Sequence, residues 1–389
     1  MTVRRKDNKN RVLLKGEIQR KDGIYEYRYT DAFGKRRSIY SKDLNDLRRK
    51  EKEIFKMLEK GINYAEGNIT VLELVERYLE LQQGIRYNTK VTHNTVLNIL
   101  KKEDFANRKI KDINMFDAQK WFVELKEDGK GYSTIKNIKG VVRPAFEYAY
   151  NNMFIERNPF DFSLKGIISK PTEKREAISK RDQELFMNFI RDDKIYSKYY
   201  DELYLLLNTG MRVSEFCGLT LDDINFEKGY IRIERQLSRE RGGKYYIELT
   251  KTENGARLLP IKDDVEETLM CIIRNRKIPR KEPVVDGYSG FLFIDKNGNP
   301  KVARHIENEM RNALKKYKKY HPDEPLPSIT PHVLRHTYCT DMANANTPIK
   351  DLQYLMGHSD IKVTLGVYTH SDFDTVAKNL GLNHSKNSD

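Results

Sequence analysis

Cysteine and long apolar runs are scarce in this sequence. Three cysteines occur among its 389 residues, at Cys217, Cys271 and Cys339. Their number and wide spacing exclude a disulfide framework or a CxxC zinc knuckle and are typical of a protein of the reducing cytoplasm. No run of about 18 apolar residues occurs, which predicts no membrane span and no membrane partner. The opening stretch MTVRRKDNKNR also lacks the apolar segment of a secretory signal.

Acidic residues are also fewer than basic residues. The chain has 71 Lys and Arg against 57 Asp and Glu, which gives a formal net charge of +14. Residues 1–66 contain 19 of the basic and 11 of the acidic residues, so more than half of the excess lies in the first sixth of the chain. A hydrophobic content of 38% is enough for folded domains. The charge favours a polyanionic partner, most often nucleic acid.

Residues 1–66 have a more ordered pattern than a solvated basic tail, which is the alternative interpretation. Tyrosines alternate with polar residues between the turn signals KDG and AFG, at Tyr25, Tyr27 and Tyr29. A helical stripe follows, formed by Leu44, Leu47, Ile54, Phe55 and Leu58. We predict three short strands and a packed helix, with a basic sheet that enters a DNA major groove. The predicted DNA-contact residues are Arg20, Lys21, Tyr25, Tyr27, Arg28, Lys35, Arg36 and Arg37.

Residues 67–165 predict an all-helical unit. Its helix-start signals are Thr70 with Glu73 (a T-x-x-E capping box), Asn114 and Ser133. The polar segment 166–174 that follows reads as an interdomain linker.

The segment from residue 175 onward contains the first candidates for chemistry. Gly210 is placed to end an apolar helix as a C′ residue, and Arg212 follows almost at once. The stretches GYIRIE and KYYIELTKTENGARLLP predict three antiparallel strands. Lys251 lies at the end of the middle strand, beside a predicted turn through Asn254 and Gly255.

Two later stretches contribute further candidates. In ITPHVLRHTYCTDMAN, His332 and Arg335 are spaced i, i+3, so they share a face of a helix. In YLMGHSDIKVTLGVYTH, His358 follows a Gly-terminated helix, and Tyr368 comes ten residues later. Gly366 weakens a helix there, so we expect Tyr368 on a mobile segment that DNA binding or assembly must place.

These motifs together point to a known family. TGMRVSE, PHVLRHTYCT, LMGHSD and VYTH resemble, in this order, the signature boxes of the tyrosine recombinase (phage integrase) family, over residues 70–380. The stretch RKDGIYEYRY resembles the arm-binding domain of integrases from conjugative transposons. The resemblance implies a multidomain α+β fold. Its expected parts are an arm-type DNA-binding domain with a small three-stranded sheet plus helix (1–66), an all-helical core-binding, SAM-like domain (67–165), and a mixed, mainly helical catalytic domain with a small antiparallel sheet and a C-terminal tail (175–389).

The function implied by the resemblance is site-specific recombination. Such an integrase cuts and rejoins DNA strands through a 3′-phosphotyrosyl intermediate and a Holliday junction, and so integrates and excises a mobile element. The implied partners are double-stranded DNA at attachment and arm sites, further copies of the chain in a homotetramer, and an accessory excision factor. The implied location is the nucleoid in the bacterial cytoplasm. Because the exchange conserves the number of phosphoester bonds, no cofactor is implied.

The residue types suit this chemistry on physical grounds. Phosphodiester cleavage without a metal needs a nucleophile, an acid for the leaving group and positive charge at the non-bridging oxygens. Arg212 and Arg335 can bind those oxygens bidentately and stabilise the charge that grows in the pentavalent transition state. A tyrosine has a pKa of about 10, so it needs a basic neighbour or a positive field to attack at neutral pH.

The resemblance also implies one role for each of the other residues. Tyr368 is the nucleophile, Lys251 protonates the departing 5′ oxygen, and His332 assists proton transfer at the nucleophile. His358 forms a hydrogen bond with the scissile phosphate. Glu215 matches the acidic position of the family and orients the site.

Three other functions are compatible with parts of the pattern. Zinc uses residue types such as those at His332, His336, Cys339 and His358, but HVLRH lacks the glutamate of H-E-x-x-H, and no acidic cluster suggests Mg²⁺. An inactive DNA-binding regulator with this fold would have the same composition, although a lapsed site usually lacks one of its residues. A type IB topoisomerase shares the tyrosine chemistry, and only a recombinase joins two different duplexes.

The last residues, 371–389, suit a regulatory contact. FDTVAKNLGL is compatible with a short helix that has one apolar side, which we expect to dock on a neighbouring protomer. A frayed terminus is the alternative.

Overall fold

The computed structural model describes residues 5–31, 34–59, 66–169, 177–250 and 255–368, with the backbone alone of Tyr368. Lys251, Asn254, most of the predicted linker and the C-terminal segment 371–389 therefore lie outside the described residues. The chain divides into two compact units, residues 1–173 and 174–389, which we describe one at a time.

The first unit begins with a three-stranded antiparallel sheet and one helix. The elements are β1 (Glu17–Gln19), β2 (Tyr25–Thr30), β3 (Arg36–Ser41) and α1 (Leu44–Glu59), and the strand order is β1-β2-β3. Tyr25, Tyr27 and Tyr29 lie on one face of β2, as the strand period predicts. They form a small core with Leu44, Leu47 and Ile54 of α1. The predicted sheet and helix are confirmed.

Phe55 departs from the predicted helical stripe. Its exposed fraction is 54%, and its ring centroid lies 6.2 Å from that of Tyr27. Because successive residues of a helix are about 100° apart, Phe55 lies at the edge of the stripe whose centre is occupied by Leu47 and Ile54. The prediction that Phe55 belongs to the buried stripe was wrong.

The rest of the first unit is helical. Its helices are α2 (Val71–Glu80), α3 (Tyr87–Leu100), α4 (Met115–Glu127) and α5 (Tyr132–Asn151). A capping box of Thr70 and Glu73 begins α2, and Asn114 caps α4, as the sequence predicts. α5 begins at Tyr132, one residue before the predicted start at Ser133. A cluster of stacked and edge-on aromatic rings fills the core between these helices.

The second unit is mainly helical and has two small antiparallel sheets. Its helices are α6 (Lys180–Asp192), α7 (Tyr200–Thr209), α8 (Val213–Cys217), α9 (Asp263–Asn275), α10 (Ala303–Tyr320), α11 (Pro331–Asn344), α12 (Ile349–Met356) and α13 (Ile361–Tyr368). Its strands are β4 (Ile224–Asn225), β5 (Tyr230–Ile233), β6 (Arg235–Arg239), β7 (Tyr245–Leu249) and β8 (Arg257–Pro260). One large apolar core connects the helices and the sheets. Among the described residues, no helix combines the length and the apolarity that a membrane crossing needs.

The pairing of these strands differs from the prediction. Strands are present at the three predicted places, as β5, β7 and β8, and the structure adds β4 and β6. β8 pairs with β5, with Leu259 opposite Ile231, whereas β7 pairs with β6 in a separate hairpin. β7 is therefore not the middle strand of a three-stranded sheet.

The last described helix, α13, continues through Gly366 to Tyr368. Thr364 is fully buried in this helix, and α13 packs against α11 and α12. Tertiary packing therefore compensates for the low helix propensity of glycine, and Gly366 does not interrupt the helix.

Candidate active site

A glycine turn places Arg212. α7 ends at Thr209, and Gly210 has a left-handed backbone with φ of +61°. A Cβ atom at this position would lie 2.3 Å from the ring of Tyr338, so both the backbone conformation and the available space require glycine. The chain then turns into α8, with Arg212 as the N-cap residue.

Three arginines converge on the C-terminal end of α12. Each donates to one of three successive carbonyl groups. The pairs are Arg257 Nε with Leu355 O (2.8 Å), Arg335 Nη2 with Met356 O, and Arg212 Nη2 with Gly357 O (2.8 Å). The last carbonyls of a helix have no partner within the helix and lie at the negative end of its dipole, so they stabilise cations. The end of α12 thus gathers side chains that are far apart in the sequence.

Glu215 connects two of these arginines. Its buried carboxylate accepts from Arg212 Nη1 at 2.6 Å and from Arg257 Nη2 at 2.8 Å, and it caps α8 by accepting from the Arg212 backbone N–H at 3.0 Å. Burial alone would raise the pKa of Glu215, but the charges of Arg257, Arg212 and Arg335 lower it below its usual value. Glu215 is therefore ionised at neutral pH. Three guanidiniums and one carboxylate leave the centre with two net positive charges.

Arg212 and Arg335 differ in their access to solvent. The Arg212 side chain is 35% exposed, whereas Arg335 is 5% exposed and also donates to the carbonyl of Gly210 at 2.7 Å. Burial, and next the positive charge of Arg212, lower the pKa of Arg335 to about 9, so it stays protonated at neutral pH. An incoming anion therefore meets Arg212 first.

His358 follows the end of α12 directly and is half-buried beside the arginines. Its Nδ1 lies 3.0 Å from the hydroxyl of Thr364, and its carbonyl accepts from the Gln353 side chain at 3.0 Å. Burial, and next the charges of Arg335 and Arg212, lower the pKa of His358 to about 4. The imidazole is therefore neutral at neutral pH and fixed in orientation.

The other predicted residues are described less completely. His332 is exposed in the first turn of α11, whose N-cap is Thr330, and Arg335 is buried one turn later on the same helix. Tyr368 ends α13, which begins shortly after His358, and its side chain lies outside the described residues. Lys251 also lies outside them. The structure thus brings Arg212, Glu215, Arg335 and His358 together.

The zinc alternative receives no support from the described residues, because they contain no group of three His, Cys, Asp or Glu side chains that could hold a metal ion. Cys339 is buried, and burial raises the pKa of its thiol to about 11, which disfavours the thiolate that zinc binds. The half-buried His336 lies within 3.5 Å of the hydroxyl of Thr340 on its own helix.

The outer face of the N-terminal sheet, opposite to its tyrosine core, is basic. The predicted DNA-contact residues that are exposed on this face or in its turns are Arg20, Lys21, Arg28, Lys35 and Arg36. Arg20 lies with its guanidinium carbon 5.6 Å from the ring centroid of Tyr40, which is itself 49% exposed. Cations beside an exposed aromatic ring form a surface suited to nucleic acid.

Arg28 also forms an ion pair on this face, where its Nε and Nη2 donate to Glu26 at 2.8 and 3.1 Å. The other three predicted DNA-contact residues lie on the core side of the sheet. Tyr25 and Tyr27 are buried in the core, and a buried ring has no surface to present to DNA, which corrects the prediction for both. Arg37 lies on the core side of β3, where its Nε donates to Asp31 at 3.1 Å and its Nη2 lies 3.9 Å from Glu66. We therefore assign Arg37 to internal ion pairs.

Arg257 and Tyr40 were not among the residues predicted from the sequence. Arg257 lies two residues before the buried Leu259 in β8, on the same face of the strand, so the strand period of RLLP was the signal that an arginine points inward. Tyr40 lies opposite Glu26 in the β2–β3 pairing, on the outer face with Arg28. The sequence indicated this position, because Tyr40 and Arg36 are an even number of residues apart in β3 and so lie on the same face.

Comparisons with known proteins extend these observations. Residues 176–375 match the phage integrase family, and residues 1–66 match the DNA-binding domain of Tn916 integrase. The transposase from transposon Tn916 of Enterococcus faecalis is 38% identical over 400 residues, which cover 99% of this chain and 98% of the relative. The solved structure of the Tn1549 transposon integrase in complex with transposon right end DNA is 37% identical, with a TM-score of 0.76 over 80% of this chain and 99% of that chain. Lambda integrase bound to a core site shares the fold, with a TM-score of 0.55 at 16% identity over 77% of this chain and 95% of that chain.

Proposed function

Because the chain belongs to the phage integrase family of tyrosine recombinases, it is a DNA strand-exchange enzyme, and we propose that the arginine centre at the end of α12 is its active site. The observation that carries this proposal is the convergence of Arg212, Arg335 and His358 at one turn of chain. A scissile phosphodiester bound there meets two net positive charges. Its charge grows in the pentavalent transition state, so a preorganised dicationic centre stabilises that state more than the bound substrate.

The two arginines act differently on the phosphate. Arg212 is exposed enough to bind a non-bridging oxygen directly. Arg335 is held by the carbonyls of Gly210 and Met356 and contributes a fixed positive charge from its buried position. Because the environment of Arg335 is already desolvated, its field at the phosphate is weakly screened.

His358 acts as a neutral hydrogen-bond donor. Its Nδ1 lies 3.0 Å from the hydroxyl of Thr364. We assign the hydroxyl as the donor to Nδ1, which leaves the proton of the neutral ring on Nε2. That N–H points its dipole at the second non-bridging oxygen of the phosphate. A neutral donor adds hydrogen bonding without adding a further charge to a centre that already repels cations.

The remaining roles follow the pattern of the family. The Tyr368 hydroxyl attacks phosphorus and forms a 3′-phosphotyrosyl bond, while Lys251 protonates the departing 5′ oxygen. His332, exposed at the start of α11, accepts the tyrosine proton. The free 5′ hydroxyl of a partner strand then reverses these steps and releases Tyr368. One phosphoester is broken for each one formed, so the exchange needs no energy source.

The DNA context completes the proposal. Residues 1–66 bind arm sites through the outer face of their sheet, and 67–165 together with 175–389 hold the attachment site. Four copies of the chain exchange strands through a Holliday junction, with an accessory factor for excision of the mobile element. The enzyme acts at the nucleoid in the bacterial cytoplasm.

A nicked attachment-site duplex tests the assignment of the nucleophile. Cleavage near the nick releases a short fragment, so the covalent intermediate accumulates and is visible by denaturing electrophoresis. We expect a covalent protein–DNA band with the wild-type chain and none with Tyr368→Phe, because phenylalanine has no nucleophilic oxygen. A band that persists in Tyr368→Phe would show that another residue attacks.

The same preparation separates recombination from topoisomerase activity. Two labelled duplexes of different length, each with an attachment site, are incubated with the wild-type chain. A recombinase yields duplexes of new length that contain both labels, whereas an enzyme that only relaxes supercoils returns the original lengths.

A further inference from the structure

Arg257 is a fully buried arginine within the arginine centre, with an exposed side-chain fraction of 0%. We infer that Arg257 is a positioning residue for strand exchange: it fixes Glu215 and the end of α12 so that Arg212 faces the phosphate. The inference rests on the proposed role of Arg212.

The contacts of Arg257 leave its guanidinium no room to bind DNA. Nε donates to Leu355 O at 2.8 Å, Nη1 to Gly255 O at 3.2 Å and to Glu215 Oε1 at 3.3 Å, and Nη2 to Glu215 Oε2 at 2.8 Å. Four of the five N–H donors of an arginine therefore have protein acceptors. A group that is enclosed and has acceptors for most of its donors acts on the reaction only through its neighbours.

Those neighbours are the elements that carry the active site. Glu215 lies at the start of α8, beside Arg212, and Leu355 lies in the last turn of α12, three residues before His358. Gly255 directly follows, in the sequence, the segment that contains Lys251. The planar fork of Arg257 thus joins three pieces of chain. Glu215 is 42 residues away in the sequence, Leu355 is 98 residues away, and Gly255 is nearby. A lysine ammonium has no fork with which to span the same acceptors.

Arg257 also sets the charge balance. Glu215 now shares its carboxylate between Arg212 and Arg257. Without Arg257, the full attraction of Glu215 would act on Arg212, and the centre would keep one net positive charge instead of two. Arg212 would then be held more tightly by Glu215 and less available to the phosphate. The consequence falls on the chemical step rather than on DNA binding, which exposed cations dominate.

The test compares two buried arginines in the same unit. Arg257→Met removes the positioning fork with little change in volume, and Arg257→Lys keeps the charge without the fork. The matched control is Arg235→Met, because Arg235 is 6% exposed and also forms a buried ion pair, with Asp223, outside the arginine centre. Each full-length variant is mixed with the nicked duplex under single-turnover conditions. The amplitude gives the fraction of folded enzyme, and the rate constant gives the cleavage step.

We expect Arg257→Met to lower the cleavage rate constant by roughly 10- to 100-fold, by analogy with the loss found when a residue that orients a metal ligand is removed. Arg257→Lys should retain a higher rate constant than Arg257→Met. Arg235→Met should at most reduce the amplitude and leave the rate constant unchanged. When Glu215→Gln and Arg257→Met are combined, the loss in the cleavage rate constant should be smaller than the product of the two single losses, because both substitutions act on Arg212. A duplex with a methylphosphonate at the scissile position has no charge there, so the deficit of Arg257→Met should nearly disappear on it.

Two results would overturn the inference. One is a rate constant of Arg257→Met, or of Arg257→Lys where the methionine variant does not fold, that equals the rate constant of Arg235→Met. The other is a deficit that is undiminished on the methylphosphonate duplex, which would show that Arg257 does not act through the charge of Arg212. The wild-type reaction separates these failures from a failure of the proposed function, because a wild-type chain that forms no covalent band contradicts the proposed function itself.

Discussion

Substitution of Gly210 tests how closely the turn before Arg212 is packed. Alanine at this position must adopt a left-handed backbone with φ of +61°, which costs about 1–2 kcal/mol. Its Cβ would also lie 2.3 Å from Cδ1 of Tyr338, whereas ordinary contacts begin at 3.4 Å, so the ring or the loop must move. Overpacking of this kind costs about 1–3 kcal/mol. We therefore expect Gly210→Ala to lower the free energy of unfolding of the second unit by about 2–5 kcal/mol.

The matched control for this substitution is Gly229→Ala. Gly229 lies in the turn between β4 and β5 and has nearly the same backbone, with φ of +64°, but nothing lies within 4 Å of the position that its Cβ atom would occupy. Only the backbone cost of about 1–2 kcal/mol should appear there. Urea unfolding of the full-length chain is followed by far-ultraviolet circular dichroism. Fluorescence of Trp121, the only tryptophan in the sequence, reports on the first unit and serves as an internal control.

Gly210→Ala should also impair catalysis, because the Gly210 carbonyl accepts from Arg335 Nη1 at 2.7 Å. A shift of this carbonyl by a fraction of an ångström misplaces a fixed charge beneath the phosphate, and we expect the cleavage rate constant to fall by roughly tenfold or more. Equal destabilisation by Gly210→Ala and Gly229→Ala would refute the claim that Tyr338 limits the space. Normal cleavage by Gly210→Ala would refute the claim that the turn positions Arg335.

Two further predictions concern the charges of the two units. Burial, and next the charges of Arg335 and Arg212, lower the pKa of His358 from 6.5 to about 4 in the folded state. A histidine whose pKa is lower in the folded state contributes fully to the free energy of unfolding when the pH is above its pKa in the unfolded chain. That contribution is lost as the pH falls toward its pKa in the folded state. The stability of the wild type relative to His358→Gln should therefore fall by roughly 2–3 kcal/mol between pH 7 and pH 4, and urea unfolding that shows a pH-independent difference would contradict this. In the N-terminal sheet, Arg36→Gln should reduce the slope of log affinity against log salt for an arm-site duplex by about 1. Arg28→Gln should reduce it by less, because Glu26 already pairs with Arg28, and Arg37→Gln should leave it unchanged, because Arg37 lies on the core side of the sheet and pairs with Asp31. Fluorescence anisotropy measures the slopes, and three equal slopes would show that the sheet face does not distinguish these arginines.

Much of the local structure was readable in the sequence, because it depends on interactions over a few residues. A capping box needs only Thr70 and Glu73, three positions apart, and the structure has it. The left-handed turn at Gly210 follows from a glycine at the end of an apolar helix. Strand alternation placed the tyrosines of β2 on one face. The four motif boxes indicated the family without any tertiary information, since each is a short run with a fixed order along the chain.

Periodicity alone did not say which side of a strand or stripe is covered. The alternation of β2 was correct, but the side that carries Tyr25 and Tyr27 turned out to be the core. Phe55 fell at the edge of its helical stripe for the same reason. A two-residue or 3.6-residue period divides side chains into faces, and only the packing of α1 against the sheet decides which face is buried.

The active centre depends on contacts that no local pattern contains. Arg212 reaches the Gly357 carbonyl across 145 residues of sequence, and Arg257 reaches Leu355 across 98. The sequence by itself determined the family, the helix caps and the identity of the chemical groups. Only the tertiary structure decided that three guanidiniums share the end of α12, that one of them is enclosed, and that His358 is neutral. Desolvation and charge coupling act through space, so they come into existence only when the fold brings those groups together.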